Sequence, residues 1–407
     1  MIIPVCEEDA QYLDRTVASI SENAGGPIEI IAVHDYPERR GIRWILNDAA
    51  KRAKGKYLVK FDSHCALTQD WDLKMKESCT EKRIVVSRLK YLDEETWRPY
   101  GRLFSFVTLD VNLKNQYLKR WQEKDYKLEE PVVSFLGCSW MIRRKYYLDL
   151  HGCDESYGVW GLLGPEWALK VWFTGGEVML RADVTCAHLF RKRTPFTVEM
   201  TKQRLTLRDL CKRWILGEDE RCVRTAQSLV TQFAFSNGWD MPIFGLGGEG
   251  FTMSENCWNF LKDFIKKNDI GDILEFGAGK STLLLDELGC RVTSYETIAG
   301  YKAVIRTLLN DTSEIYLWDG RDAKIEGQFD LVFIDGPKGG ENRSDAYRLA
   351  AENIDTKYIA CHDTHRAAER GWIGIYFRGF ELLETKDNDR IRIFRKPGSS
   401  EAIKEVA

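Results

Sequence analysis

Three short apolar runs separated by two helix-patterned stretches open the chain, and that alternation restricts it to a layered α/β fold. Ile2 to Val5 reads as the first strand. Leu13, Val17 and Ile20 then recur at helical spacing until Gly25-Gly26-Pro27 breaks the pattern. Ile28 to Val33 reads as the second strand and ends at His34-Asp35. A helix from Arg43 through Asn47 and Ala50, with Gly55 as its C-cap, leads into a third strand, Tyr57 to Phe61. That strand ends at Asp62-Ser63-His64-Cys65. The order predicts a parallel sheet with ligands at the carboxyl ends of its strands. Asp35 and Asp62 both fall at such ends.

Asp62 and His64 are two residues apart at the end of an extended run, so their side chains share a face. An acid and an imidazole side by side can hold a divalent cation, and the cation can hold a diphosphate. By itself the triplet also fits a strand cap with a surface histidine. Its surroundings decide between the two.

The Pro4-Val5 strand, the Glu-Ile-Ile-x-Val-x-Asp run from Glu29 to Asp35, and the Ala-x-Gly-x-Tyr-Leu-x-x-Phe-Asp-Ser-His-Cys run from Ala53 to Cys65 resemble GT-A glycosyltransferases. In particular they resemble the polypeptide N-acetylgalactosaminyltransferase type. Further on, a strand from Ser134 to Ile142 precedes a helix from Arg144 to His151 and then Gly152-Cys153-Asp154. Trp160 to Gly176 is similar to the family's Trp-Gly-Gly-Glu-Asn region, its Val-Trp helix and its closing Gly-Gly. Trp160 and Trp172 keep the family's separation, and Trp167, Val171 and Trp172 lie on one helical face. His188-Leu189-Phe190-Arg191-Lys192 matches the family's His-x-Phe-Arg-Lys run.

The resemblance implies a domain that uses a UDP-sugar, of UDP-GalNAc or UDP-Glc type, and Mn²⁺. It implies Asp62, His64 and His188 as metal ligands. Asp35 would face the uridine, with Arg43 and Asn47 on the same side, and Arg191, Lys192 and Arg193 would close over the diphosphate. Trp160 and Glu166 would stand at the reacting end. The chemistry needs such a site because a departing diphosphate gains negative charge, which a cation stabilises most in the transition state. The sequence departs from the family at Leu163, where a Glu is expected, and Gly-Glu-Asn is absent. Glu166 is the remaining carboxylate to nominate as a general base, a role that matters less if configuration is retained. The segment from Trp97 to Trp121, rich in aromatics and lysines, is the expected acceptor side and has no family counterpart.

Residues 1–235 therefore read as a GT-A domain, closed by a charged helical stretch, and 236–258 as a glycine-rich linker. Residues 259–398 open a second α/β pattern. An amphipathic helix from Cys257 to Lys267 precedes a strand, Ile273 to Phe276, and the turn Gly277-Ala278-Gly279. A P-loop would need glycine where Leu274 stands, so Gly279-Lys280-Ser281 is not one. Glu296 ends the next strand about twenty residues past the glycines, the spacing that grips ribose hydroxyls. Asp319, Asp335 and His362-Asp363 end further strands.

Together these features resemble class I S-adenosylmethionine methyltransferases. The resemblance implies that Glu275, Gly277, Gly279 and Glu296 bind the cofactor, with Asp319 near its adenine. Asp335, His362 and Asp363 would face the reaction, and in some relatives carboxylates at these places hold a metal.

The totals narrow the setting. At 407 residues two domains are expected. A net charge of −3 speaks against a generic nucleic-acid binder, though not against a local basic face. Eleven cysteines, an odd number without a Cys-x-x-Cys pair, predict reduced thiols and a cytoplasmic protein. No signal peptide or membrane anchor is read, and the family's lectin domain is not expected. Thirteen tryptophans and sixteen tyrosines provide flat surfaces suited to sugars or bases.

The expectation is a bifunctional α/β enzyme: a metal-dependent glycosyltransferase fused to a methyltransferase-like domain that modifies the sugar or a neighbouring hydroxyl. Its acceptor would be a glycan, a peptide or a modified nucleic-acid base, the last as in glycosylation of hydroxymethylated bases of viral DNA. A non-catalytic sugar-nucleotide-binding scaffold is the alternative of another class, and it would bind UDP and Mn²⁺ without hydrolysing the sugar.

Overall fold

The computed structural model describes residues 1–110, 112–117, 127–191, 200–234, 243–244, 246, 253–319, 325–336 and 340–398. The chain divides into two compact units, Met1–Ala226 with Ile243–Gly245, and Gln227–Pro242 with Leu246–Ala407. Much of the expected linker, and Lys192, Arg193 and Trp121, lie outside the described residues. The helix Ala226–Gln232 begins at the division. Its Gln227 amide donates to Leu283 O at 3.1 Å and to Asp286 Oδ2 at 2.7 Å, within the second unit.

Among the described residues the strands of the first unit are β1 Ile2–Val5, β2 Ile31–His34, β3 Tyr57–Phe61, β4 Cys65–Leu67, β5 Arg83–Leu92, β6 Pro99–Phe104, β7 Phe106–Leu109, β8 Asn115–Tyr117, β9 Glu129–Pro131, β10 Ser139–Arg143 and β11 Glu177–His188. The main sheet runs β2-β1-β3-β10-β5-β11-β4, with β6 beside β5 and β9 beside β11. The first three strands are parallel, as expected, but β10 is antiparallel to both β3 and β5. The irregular stretch 132–138 delivers the chain to the carboxyl edge, so β10 starts there and runs back.

The helix Ile42–Arg52 buries Ile45, Leu46, Ala49 and Ala50 against this sheet and ends at a C-cap on Ala53, not Gly55. The helix Leu163–Phe173 is buried on every side, its two charged residues Glu166 and Lys170 included, as its otherwise apolar sequence requires. It can enter so deeply because Gly164 has no side chain: a Cβ there would stand 2.0 Å from the Phe135 carbonyl oxygen.

In the second unit the strands are β12 Asp272–Phe276, β13 Arg291–Glu296, β14 Glu314–Leu317, β15 Gln328–Ile334, β16 Asp355–His362, β17 Glu381–Lys386 and β18 Ile391–Arg395. Their order is β14-β13-β12-β15-β16-β18-β17. The first five are parallel, and the β17–β18 hairpin joins through an antiparallel pairing of β18 with β16. The chain leaves β12 toward β13 and later returns to its other side as β15. That reversal opens a crevice at the carboxyl ends of β12 and β15, where ligands of such sheets bind.

Candidate active sites

In the first unit the crossing after β3 builds the site. The chain leaves Phe61, passes Asp62 and Ser63, and returns as β4 along β11, with Cys65 opposite His188. A register shift between Arg181 and Thr185 bends β11 on the way. His64 and His188 therefore meet, Nε2 to Nε2 at 3.1 Å, and His188 Nε2 lies 3.1 Å from Asp62 Oδ2. These three residues form a group whose ligand atoms are close enough to share one ion.

The charge states suit that use. Burial lowers both imidazoles, His188 to about 4, so each keeps a lone pair for a cation. Burial works against the Asp62 carboxylate, but the Lys60 ammonium and the imidazoles outweigh it and hold its pKa well below the usual range. The Nδ1 of His64 lies 3.3 Å from Asp9 Oδ2 without making a hydrogen bond. Two neutral nitrogens and one carboxylate fit a first-row divalent ion such as Mn²⁺.

A cavity of about 1530 Å³ opens over this group. Asp35, Trp160 and Arg191 line it, as do Lys60 and Asp9, which the sequence reading did not single out. Asp35 accepts the backbone N–H of Arg40 at 2.6 Å and of Gly41 at 2.8 Å, and so shapes the rim before the helix Ile42–Arg52. Trp160 is 45% exposed at the mouth. Arg191 pairs with Asp9 at the lip. Lys60 had one available signal, a lysine in the middle of an apolar strand. Asp9 had only its place after the first strand.

Three expected site residues stand elsewhere. Glu166 is fully buried, with Oε2 held by Arg43 Nε at 2.7 Å and Oε1 by the Asp154 N–H at 2.8 Å. It has no surface to offer an acceptor, so the general-base assignment fails on burial. Arg43 is buried with it and binds the Gly158 and Gly161 carbonyls instead of a nucleotide. Asn47 is spent on Cys153, Glu155 and Tyr147.

In the second unit Gly277 and Gly336 touch backbone to backbone. Gly277 has φ +94°, and a Cβ on it would lie 2.3 Å from Gly336 Cα. Gly279 caps the helix Lys280–Glu287, and a Cβ there would meet nothing within 4 Å, so the space before it is open. Glu296 ends β13 with Oε1 on the Ile298 N–H at 2.7 Å, and burial raises its pKa.

Glu275, expected to touch the cofactor, is instead fully buried. It accepts the hydroxyls of Ser281, Thr282 and Ser294 at 2.6, 2.5 and 2.7 Å. Strand alternation turns it beneath the glycine turn, which it braces. Asp319 lies exposed just past β14.

Asp335 and His362-Asp363 come together from the ends of β15 and β16, with His362 Nδ1 2.6 Å from Asp335 Oδ1 and 3.8 Å from Asp363 Oδ1. Burial opposes the imidazolium, but the two carboxylates outweigh it and raise His362 to about 10. Asp363 sits at φ +61° and also faces Arg343 and Arg366.

These arrangements define a GT-A-like α/β fold in the first unit and a Rossmann-like α/β fold in the second. Residues 36–150, in the first unit, match the glycosyl transferase family 2 model. A putative polypeptide N-acetylgalactosaminyltransferase 13 of Drosophila melanogaster is 29% identical over 164 residues, 39% of this chain and 29% of that protein. The chain spans about a third of the length of the curated relatives it matches.

Among solved structures, GalNAc-T7 with UDP, GalNAc and Mn²⁺ superposes with a TM-score of 0.44 at 16% identity, covering 52% of this chain and 48% of that one. A TehB-like SAM-dependent methyltransferase from Corynebacterium glutamicum superposes with a TM-score of 0.26 at 16% identity, covering 31% and 80%. Among the described residues no helix is long and apolar enough to cross a membrane.

Proposed function

We propose that the first unit moves a sugar from a UDP-sugar to a hydroxyl, with a divalent cation such as Mn²⁺ held by Asp62, His64 and His188. The observation that supports this is the convergence of those three side chains in one cavity at the sheet's carboxyl edge. When bound, the cation offsets the charge that grows on the diphosphate as the anomeric C–O bond breaks. Asp62 stays ionised and the two histidines stay neutral, as a ligand set requires.

Asp35 and the rim it shapes receive the nucleoside, and Trp160 walls the sugar. In the transfer, the acceptor oxygen bonds to the anomeric carbon while the bond to the diphosphate oxygen breaks. With Glu166 buried, the acceptor proton leaves on the diphosphate, which suits a transfer that retains configuration. N-acetylgalactosamine is the first sugar to test and glucose the second.

The second unit, on this reading, binds S-adenosylmethionine in the crevice beside β12, with Glu296 toward the ribose and the Gly277–Gly279 turn beneath the methionine part. Asp335, His362 and Asp363 then orient a hydroxyl of the sugar or acceptor for methylation. Eleven unpaired thiols support a reducing, cytoplasmic setting.

The deciding experiment is UDP release from a panel of UDP-sugars, with and without Mn²⁺, by the wild type and Asp62→Ala. Metal-dependent release from one donor, lost in the variant, is the expected result. UDP and Mn²⁺ binding without release from any donor, with or without candidate acceptors, would leave a binding protein instead.

A further inference from the structure

We propose that Lys60 makes cation binding in the first unit conditional on the diphosphate, so that metal and donor bind as a coupled pair. This rests on the reading of Asp62, His64 and His188 as cation ligands. Lys60 lies between Val59 and Phe61 in β3 and is 1% exposed. Its backbone stands between Ile2 of β1 and Trp140 of β10, so it is central in the sheet. Asp62, two residues on, shares its face, and the ammonium meets Asp62 Oδ1. Its second bond goes to the Gly137 carbonyl at 2.7 Å. Burying an ammonium with its carboxylate gains little stability over an apolar side chain of similar size. Stability is therefore a poor reason for a lysine here, and the neighbouring ligands offer a better one.

The Lys60–Asp62 ion pair already offsets the one carboxylate that the ligand group offers. A divalent ion arriving alone must share Asp62 with an ammonium already in contact with it. In a partly buried site that repulsion is strong. A diphosphate arriving with the ion cancels the excess positive charge. Metal alone should then bind weakly and metal with nucleoside diphosphate tightly. Linkage requires the metal to strengthen diphosphate binding by the same factor. Lys60 also lines the cavity itself, so a diphosphate bound there would take up an ammonium displaced from Asp62.

The test measures Mn²⁺ affinity of the full chain, by electron paramagnetic resonance of free Mn²⁺, with and without UDP. The proteins are wild type, Lys60→Met, Lys60→Gln and Lys60→Arg, each checked for folding by circular dichroism. Gln keeps a donor for Asp62 and Gly137, and so covers the case in which Met does not fold. In the neutral variants Mn²⁺ alone should bind about tenfold more tightly or better, and the gain from UDP should shrink by a similar factor. Arg should keep the wild-type pattern. Neutral variants whose affinity for Mn²⁺ alone is unchanged or weaker, with the UDP gain intact, overturn the proposal. A wild type that binds no Mn²⁺ even with UDP, or binds it undiminished after His188→Ala, overturns the cation-site reading beneath it and the proposal with it.

Discussion

Arg43 and Glu166 are bonded to each other, Nε to Oε2 at 2.7 Å, with side chains 1% and 0% exposed. The same guanidinium reaches the Gly158 carbonyl at 3.1 Å and the Gly161 carbonyl at 2.7 Å, on either side of Trp160. The pair thus stands one layer behind the cavity and holds the loop that faces it.

Removing one partner leaves a buried charge unpaired. Glu166→Ala should destabilise the first unit by about 3–5 kcal/mol, and adding Arg43→Met should recover part of that. Urea unfolding of the single and double variants measures both. Donor affinity should fall with the loosened Trp160 loop. Glu166→Gln that folds and binds donor normally but has lost turnover would return Glu166 to the chemistry.

His188→Ala removes one of the three proposed cation ligands while leaving the strand pairing of β11 intact. Stimulation of UDP release by Mn²⁺ should drop about a hundredfold or more, with circular dichroism unchanged. A variant that keeps its metal response would place the ion elsewhere.

Gly277→Ala drives a methyl group into Gly336 at a backbone φ of +94°. A loss of about 2 kcal/mol or more is expected in the second unit, together with loss of S-adenosylmethionine binding. Thermal unfolding with and without the cofactor reads both. Wild-type stabilisation by the cofactor in this variant would show that the turn does not shape the pocket.

Burial pushes Glu275 up to about 7 from an ordinary 4.5, although three hydroxyls partly oppose the shift. The folded state therefore holds this proton more tightly than the unfolded chain. Stability from it is fully present below about 4.5, declines as pH rises through about 7, and is flat beyond. The decline amounts to roughly 3 kcal/mol. Denaturant unfolding of the second unit from pH 4.5 to 8 should show it, and Glu275→Gln should flatten it. Stability that rises with pH across that window, unchanged by the substitution, would contradict the assignment.

Much of both sites was legible in the chain because it depends on local geometry. The strand–helix alternation, the glycine turn after β12 and Glu296 at the next strand end follow from short-range periods and φ preferences, whereas Asp62 and His64 are brought together by the turn Ser63-His64 that follows β3, not by a strand period. His188 was reached through the run around it, since no local rule joins residues 124 apart in sequence. The structure supplied the cause, the return of β4 along β11.

What the tertiary structure alone decided was which face of each element meets water. The helix carrying Glu166 is apolar enough to be buried on all sides, so its one carboxylate needed a counter-charge from Arg43, 123 residues away. Asn47 lies on the same helix as Arg43 and was likewise taken up by backbone and side-chain partners at its inner face. Glu275 followed the period of its strand to the side of Ser281, Thr282 and Ser294. Periodicity determines which side chains point together. Whether they point at substrate or at one another depends on packing, because a buried polar group must take whatever partner the fold brings to it.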